Sequence, residues 1–231
     1  MPRIEIDDVS VVVDGADAPV TILDHVSTTL SERRVSIVGA NGSGKSTVAR
    51  LVNGLIAPTD GHVRVDGIDV ADDGAAVRRR VGFVFTQPSA QLVMPTVAED
   101  VGLSLRRSVP DKAERAARVT EILTSFGLQH LERTTVHALS GGQQQLLALA
   151  GVLATEPAVV VADEPTTLLD LRNSAEVADR LLGLDQQLVV VTHDLDLAQR
   201  CERTLVVDAG RIVFDGDPAE AIDRYRRLAL R

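Results

Sequence analysis

The sequence predicts an α/β chain: a parallel sheet buried on both faces, an antiparallel β lobe before it, and a helical lobe inserted between its strands. Three observations carry that expectation. Four near-continuous apolar runs, Val35 to Val38, Val159 to Ala162, Leu188 to Val191 and Leu205 to Val207, have the pattern of strands covered on both sides. Ile4 to Val13, Thr21 to Leu30 and His62 to Val70 alternate apolar and polar residues imperfectly between Asp, Gly and Pro, which suits an antiparallel lobe. From Pro110 to Gly127 the period changes: Val119, Ile122, Leu123 and Phe126 recur at helical spacing, with Pro at the start and Gly at the stop.

In chain order, the β lobe and the first part of the core occupy about residues 1–85. The helical lobe follows over about 90–150, including Val97 to Arg107, and the rest of the core over about 155–231. Asp208 to Gly210 followed by Arg211 to Phe214 reads as a hairpin. No repeat or low-complexity tract interrupts this single domain.

With 231 residues, 45% of them hydrophobic, the chain can bury a sizeable core. The single cysteine, Cys201, excludes a disulfide framework and a cysteine-rich metal site, and favours a reducing compartment. MPRIEIDDVS lacks the apolar core of a signal peptide, and no apolar run is long enough to span a bilayer. Any membrane role must therefore use another chain. The formal net charge of −9 argues against wrapping a nucleic acid. The basic clusters Arg78 to Arg80 and Arg224, Arg226 and Arg227 read as solvated faces.

The chemistry concentrates after the first buried run. Gly39-Ala40-Asn41-Gly42-Ser43-Gly44-Lys45-Ser46-Thr47 follows the strand VSIV and precedes the helical VARLVNGL, the setting a phosphate-binding loop requires. Glycines let backbone N–H groups converge on phosphate oxygens, the helix turns its positive end to them, and Lys45 reaches the terminal phosphates. Ser46 can supply a hydroxyl to Mg²⁺.

The run Val159 to Ala162 ends in Asp163-Glu164, two carboxylates near where the loop also leaves the sheet. Asp163 can hold Mg²⁺ through its water shell, and Glu164 can orient or deprotonate an attacking water. His193, after LVVVT, should emerge at the end of another core strand within reach of a γ-phosphate, with Asp194 as a helix cap. Leu139-Ser140-Gly141-Gly142-Gln143 precedes the helical QQQLLALAGVLA, so Ser140 caps a second helix whose exposed N–H groups form another anion site. One ATP has little use for two helix starts so far apart in sequence unless the second comes from a partner chain.

In this order, Gly39 to Ser46, Leu139 to Gln143, Val159 to Glu164 and His193 resemble the ATP-binding cassette ATPases, over nearly the whole chain. The resemblance implies a P-loop NTPase core that binds ATP and Mg²⁺ and hydrolyses the ATP. It also implies a head-to-tail dimer, of identical chains or with a paralogue. Each ATP would lie between the Gly39 to Thr47 loop of one subunit and the Ser140 to Gln143 turn of the other, and Asp170 in EPTTLLD would communicate across the dimer.

Two departures stand out. The family often stacks an aromatic ring on adenine, but Ser10 to Asp14 offers none, leaving Val13 as an apolar contact. The family pattern also puts a glutamine directly after Phe85, to touch Mg²⁺ and the attacking water. Here Thr86 holds that place and Gln87 comes one later, so either the loop shifts to bring Gln87 in or Thr86 does the work.

The fragment Gln91 to Gly102 resembles ATPase subunits of energy-coupling factor importers, which move vitamins and transition-metal ions into prokaryotic cells. FVFTQPSAQLVMPTVAED with EPTTLLDLRN is most similar to the biotin-uptake branch, cobalt or nickel uptake being the alternative. The resemblance implies a peripheral protein on the cytoplasmic face of the cell membrane, bound to a transmembrane coupling subunit and a substrate-binding membrane subunit. A soluble relative such as an iron–sulfur assembly ATPase fits the length equally. A non-hydrolysing scaffold fits poorly, because Glu164 and the Ser140 turn are intact.

Overall fold

The computed structural model describes residues 1–230. Strands β1 (Ile4–Val13) and β2 (Val20–Leu30) pair antiparallel, and β3 (Arg34–Val38) then enters the core and leads into α1 (Lys45–Asn53). The chain returns to the first lobe for β4 (Asp60–Val65) and β5 (Ile68–Asp69), then forms α2 (Gly74–Arg80) and β6 (Val81–Val84). The helical lobe holds α3 (Val97–Leu105) and α4 (Lys112–Ser125), and α5 (Gly141–Leu153) brings the chain back to the core. There follow β7 (Val159–Asp163), α6 (Leu171–Leu182), β8 (Gln187–Val191), α7 (Leu195–Gln199), β9 (Arg203–Asp208), β10 (Arg211–Gly216) and α8 (Pro218–Ala229).

Two sheets result. The lobe sheet has the order β2-β1-β4-β5, all antiparallel. The core sheet has the order β10-β9-β3-β8-β7-β6, parallel except for β10 at its edge.

The apolar runs explain why the core strands are central. Val159 and Val161 of β7 face a cluster shared with α1 and the β lobe, while Val160 and Ala162 face one shared with α5, α6 and the helical lobe. A strand with two buried faces cannot alternate with polar residues, so these runs are continuous.

The helix ends follow the caps. Thr96 and Glu99 form a reciprocal capping box at α3, and Asp111 accepts from the Glu114 N–H to start α4. Ala209 and Gly210 both take positive φ, 45° and 78°, making the two-residue turn that joins β9 and β10.

Beyond helices α2, α6 and α8, which the sequence patterns do not single out, two stretches differ from the sequence expectation. His62 to Val70 is not one strand, because Asp66 and Gly67, both at positive φ, fold it into the β4–β5 hairpin. Strand β6 was not expected, being four residues long and interrupted by Gly82. That glycine is required by packing: a Cβ there would lie 2.3 Å from Val152 Cγ1 of α5.

The basic clusters divide. Arg80 pairs with Asp66 at 2.9 Å and Arg78 donates to the Gly54 carbonyl, so part of the first cluster ties α2 to neighbouring loops. Arg224, Arg226 and Arg227 are exposed on α8.

Candidate nucleotide site

Strand β3 delivers the Gly39 to Thr47 loop at the carboxyl end of the parallel sheet, where α/β folds place ligands. The loop needs glycine at two tight points. Gly39 has φ 156°, and a Cβ there would lie 2.1 Å from the Val207 carbonyl oxygen. Gly44 has φ 105°, and a Cβ there would meet Leu23 Cδ2 at 2.7 Å.

The loop also carries unused polar capacity. Helix α1 starts at Lys45 with no side-chain cap and no acid in its first turn, leaving a positive N-terminus open. Ser43 Oγ is buried without a hydrogen-bond partner. Lys45 is buried, its Nζ donating to the Ala40 carbonyl at 2.8 Å. Burial pushes the Lys45 pKa down, opposed by the nearby Glu164 and Asp163 carboxylates. An uncapped helix start, an orphaned hydroxyl and a lysine folded onto its own loop together fit a polyphosphate.

Asp163 ends β7 and accepts from Ser46 Oγ at 2.8 Å. Burial pushes its carboxyl pKa up, with the Ser46 hydrogen bond acting the other way. These two oxygen donors suit Mg²⁺, which is held by one or two protein oxygens together with substrate phosphates.

The next residue turns sharply. Glu164 takes a left-handed φ of 51° while its N–H bonds to the Val191 carbonyl of β8 at 2.9 Å, a conformation that costs energy in a non-glycine residue and concentrates at functional sites. Its Oε2 accepts from the Thr167 hydroxyl at 3.0 Å and the His193 N–H at 3.3 Å, and lies 2.7 Å from His193 Nδ1. His193 leaves the end of β8, and Asp194 caps α7.

Glu164, Thr167 and His193 share one open cleft of about 460 Å³ with the start of the loop; it is lined by Gly39, Ala40, Asn41, Thr86, Glu164, Thr167, His193 and Tyr225. Thr86, not Gln87, is on this wall, and its hydroxyl donates to the Asp163 carbonyl at 2.8 Å. Gln87 is exposed and lines a neighbouring cleft with Pro88, Gly141, Gln145 and Leu168. Its segment is tethered to α5, where Gln145 donates to the Phe85 carbonyl and Gln91 to the Ala148 carbonyl.

The Ser140 turn lies apart from the phosphate cleft of its own chain. Ser140 Oγ accepts from the Gln143 N–H, and Gln143 Oε1 from the Ser140 N–H. Ser140 and Gly141 are exposed. Gly142 is buried against α6, where a Cβ would lie 2.5 Å from Asn173 Oδ1. Asn173 in turn bonds Asp170, which caps α6, so the turn and Asp170 are packed through one side chain. Val13 ends β1 opposite Val20, the two 45% and 48% exposed, an apolar pair with no ring beside it.

Besides Thr167, which lies within EPTTLLD and bonds Glu164, Tyr225 is a lining residue that motif reading missed. It belongs to no motif, and only the packing of α8 beside β3 brings it to the loop.

Comparison with known proteins agrees with this geometry. Residues 23–167 match the family described as ABC transporter. A putative ABC transporter ATP-binding protein of Deinococcus radiodurans is 51% identical, over 89% of this chain and 91% of its own. The biotin transport ATP-binding protein BioM of Rhizobium etli is 44% identical, over 90% and 92%. Among solved structures, the ATP-binding cassette MJ0796, a dimer in a post-hydrolysis state bound to ADP and Pi, superposes with TM-score 0.84 at 31% identity, covering 93% of this chain and 98% of its own. The cbiO1 protein of Clostridium perfringens, part of the ABC transporter complex cbiONQ, gives 0.82 at 30% identity, with coverage of 99% and 94%. A glycine-rich phosphate loop, a metal-suited Ser–Asp pair beside it and a Glu–His pair in the cleft at its start, on a chain so similar to these cassettes, mean that this protein belongs to the ABC transporter family as an ATP-hydrolysing subunit.

Proposed function

We propose that the chain powers an energy-coupling factor type importer for biotin, as a peripheral subunit working in a head-to-tail pair on the cytoplasmic face of the membrane. The observation that carries the paired arrangement is the separation of the two anion sites. The phosphate cleft is bounded by Gly39 to Asn41, Thr86, Glu164 and His193, and the Ser140 turn is outside it. A second subunit supplies the missing turn, and the dimeric state of the similar MJ0796 cassette supports this.

In the closed site, Lys45, Ser43 and the open N-terminus of α1 hold the ATP phosphates. Ser46 and Asp163 are the residues that would hold Mg²⁺, which neutralises phosphate charge when bound. Glu164 takes the proton of the attacking water, held in place by His193 and Thr167 through Oε2. Thr86, which lines the cleft and bonds the Asp163 carbonyl, is read as the sensor of the attacking water. Ser140 to Gln143 of the second subunit closes on the terminal phosphate, Asp170 links the two sites, and Val13 contacts the base.

Biotin as cargo is supported by the likeness to BioM and by FVFTQPSAQLVMPTVAED with EPTTLLDLRN; the Gln91 to Gly102 fragment supports the importer class. No helix of the described residues is long and apolar enough to cross a membrane; in this reading the transmembrane coupling and substrate-binding roles belong to partner subunits. The test is purification from detergent-solubilised membranes, reconstitution of the co-purifying complex in liposomes, and uptake of labelled biotin with ATP on the side of this chain. ATP-dependent biotin uptake is the expected result. Uptake of cobalt or nickel instead would replace the cargo, and a set of exclusively soluble partners would overturn the importer.

A further inference from the structure

One wall of the phosphate cleft is supplied by a residue to which the preceding scheme gives no task. Helix α8 lays Ala221, Ile222, Tyr225 and Leu228 against Val38 of β3 and Val206 of β9, the spacing of a single helical face. Val38 is the residue before Gly39, and Tyr225 lines a small crevice with Ala40, Val206 and Val207, which puts it beside the start of the phosphate loop. From there it reaches the same cleft as Ala40, Asn41, Glu164 and His193. It is the chain's only tyrosine.

The choice of side chain is informative. Packing against Val38 and Val206 requires an apolar body, which leucine or phenylalanine would supply. A phenol adds one O–H at the outer end, and such a group normally has a polar partner when partly buried. Of the polar side chains lining the same cleft, Glu164 bonds His193 and Thr167, and Thr86 bonds the Asp163 carbonyl. Among the described residues none of them bonds the Tyr225 hydroxyl.

We infer that Tyr225 is a further nucleotide-binding residue, its phenol O–H donating to the terminal phosphoryl group of ATP from the α8 side. The inference rests on the assignment of this cleft to ATP. The terminal group is the target because the cleft holds Glu164 and His193, whereas Val13 lies outside it. The geometry therefore makes Tyr225 a discriminator between ATP and ADP, since ADP lacks the group it contacts.

Tyr225→Phe keeps the ring and removes only the hydroxyl. Equilibrium titration of the purified full chain with Mg²⁺ and a non-hydrolysable β,γ-imido analogue of ATP, and separately with ADP, reads the effect. A lost hydrogen bond to a charged group predicts analogue binding weakened about tenfold, with ADP affinity and Tm those of the wild type. Wild-type affinity for both nucleotides overturns the proposal, and so does equal weakening of both, which would place the hydroxyl on another phosphate. Tyr225→Ala also removes the ring from the α8 cluster and lowers Tm, separating a packing loss from a hydroxyl loss. Failure of the wild-type chain to bind either nucleotide would instead sink the assignment of the cleft itself.

Discussion

The two helix starts read as anion sites, α1 and α5, are built in opposite ways. At α1 the N-terminus is uncapped, Ser43 Oγ has no partner and Lys45 is turned back onto Ala40. At α5 Ser140 and Gln143 satisfy each other in a capping box. The first is an incomplete polar shell beside a strained Glu164, stable only because strands β3, β7 and β8 hold it. The second bonds its own Ser140 and Gln143 N–H groups through the box, and the start of its helix has further N–H groups at Gly141 and Gly142 that have no partner within the helix.

The largest effect comes from the loop side. Glu164→Gln keeps the shape of the carboxylate but cannot take a proton, so steady-state hydrolysis should fall by about 10² to 10⁴. ATP binding should survive and an ATP-bound dimer should accumulate, read by gel filtration with ATP. Unchanged turnover would rule out Glu164 as the base.

Next in size is a substitution on the turn side. Ser140→Asp still caps α5 through an oxygen acceptor, so Tm should stay close to that of the wild type. Its charge opposes a phosphate, so hydrolysis should drop at least about tenfold while ATP binding to the isolated chain is unaffected. Ser140→Ala removes the cap as well and should cost about 1 kcal/mol of stability. If Ser140→Asp hydrolyses ATP at the wild-type rate, the turn does not close on phosphate and the two half-sites are not parts of one site.

Between the halves lies the segment after Phe85. Thr86 lines both the phosphate cleft and the neighbouring one beside Gly141, whereas Gln87 lines only the neighbouring one. Thr86→Ala should therefore lower turnover more than Gln87→Ala, measured side by side as kcat. The reverse order would mean that Gln87 swings into the cleft on closure and that the sequence displacement is repaired by movement.

What could be read from the sequence divides along similar lines. The loop from Gly39 to Thr47, the Asp163-Glu164 pair and the Ser140 cap are local patterns, each set by spacing within one segment, and a strand run or a helix start identifies their setting. Strand β6 escaped because Gly82 breaks its apolar run for the sake of α5, a contact that pairs residues far apart in the chain. Tyr225 escaped for the same reason: its helical spacing shows only that α8 has an apolar face, and the sheet order alone puts that face behind β3. The Thr86 and Gln87 alternatives stayed open because a one-residue shift in a loop is decided by tertiary bonds, here Thr86 to Asp163 and Gln91 to α5.

The smallest expected effect bears on the cost of the incomplete shell. Burial raises the Asp163 pKa in the folded chain relative to the unfolded one. At a pH below the ordinary carboxylate range both states are protonated and Asp163 has no pH-dependent effect. As pH rises through that range the unfolded chain ionises first, so folding loses stability until the folded group ionises too, and above that point the loss is constant. Asp163→Asn keeps an oxygen to accept from Ser46 and removes the charge, so the nucleotide-free chain should melt higher at neutral pH, with the gain vanishing in acid. The same variant loses a charged metal partner and should be inactive with Mg²⁺ and ATP. Calorimetry of the nucleotide-free variant across pH checks the sign: a lower Tm at neutral pH would mean that the carboxylate stabilises the fold, and that the loop side is not held open at a cost.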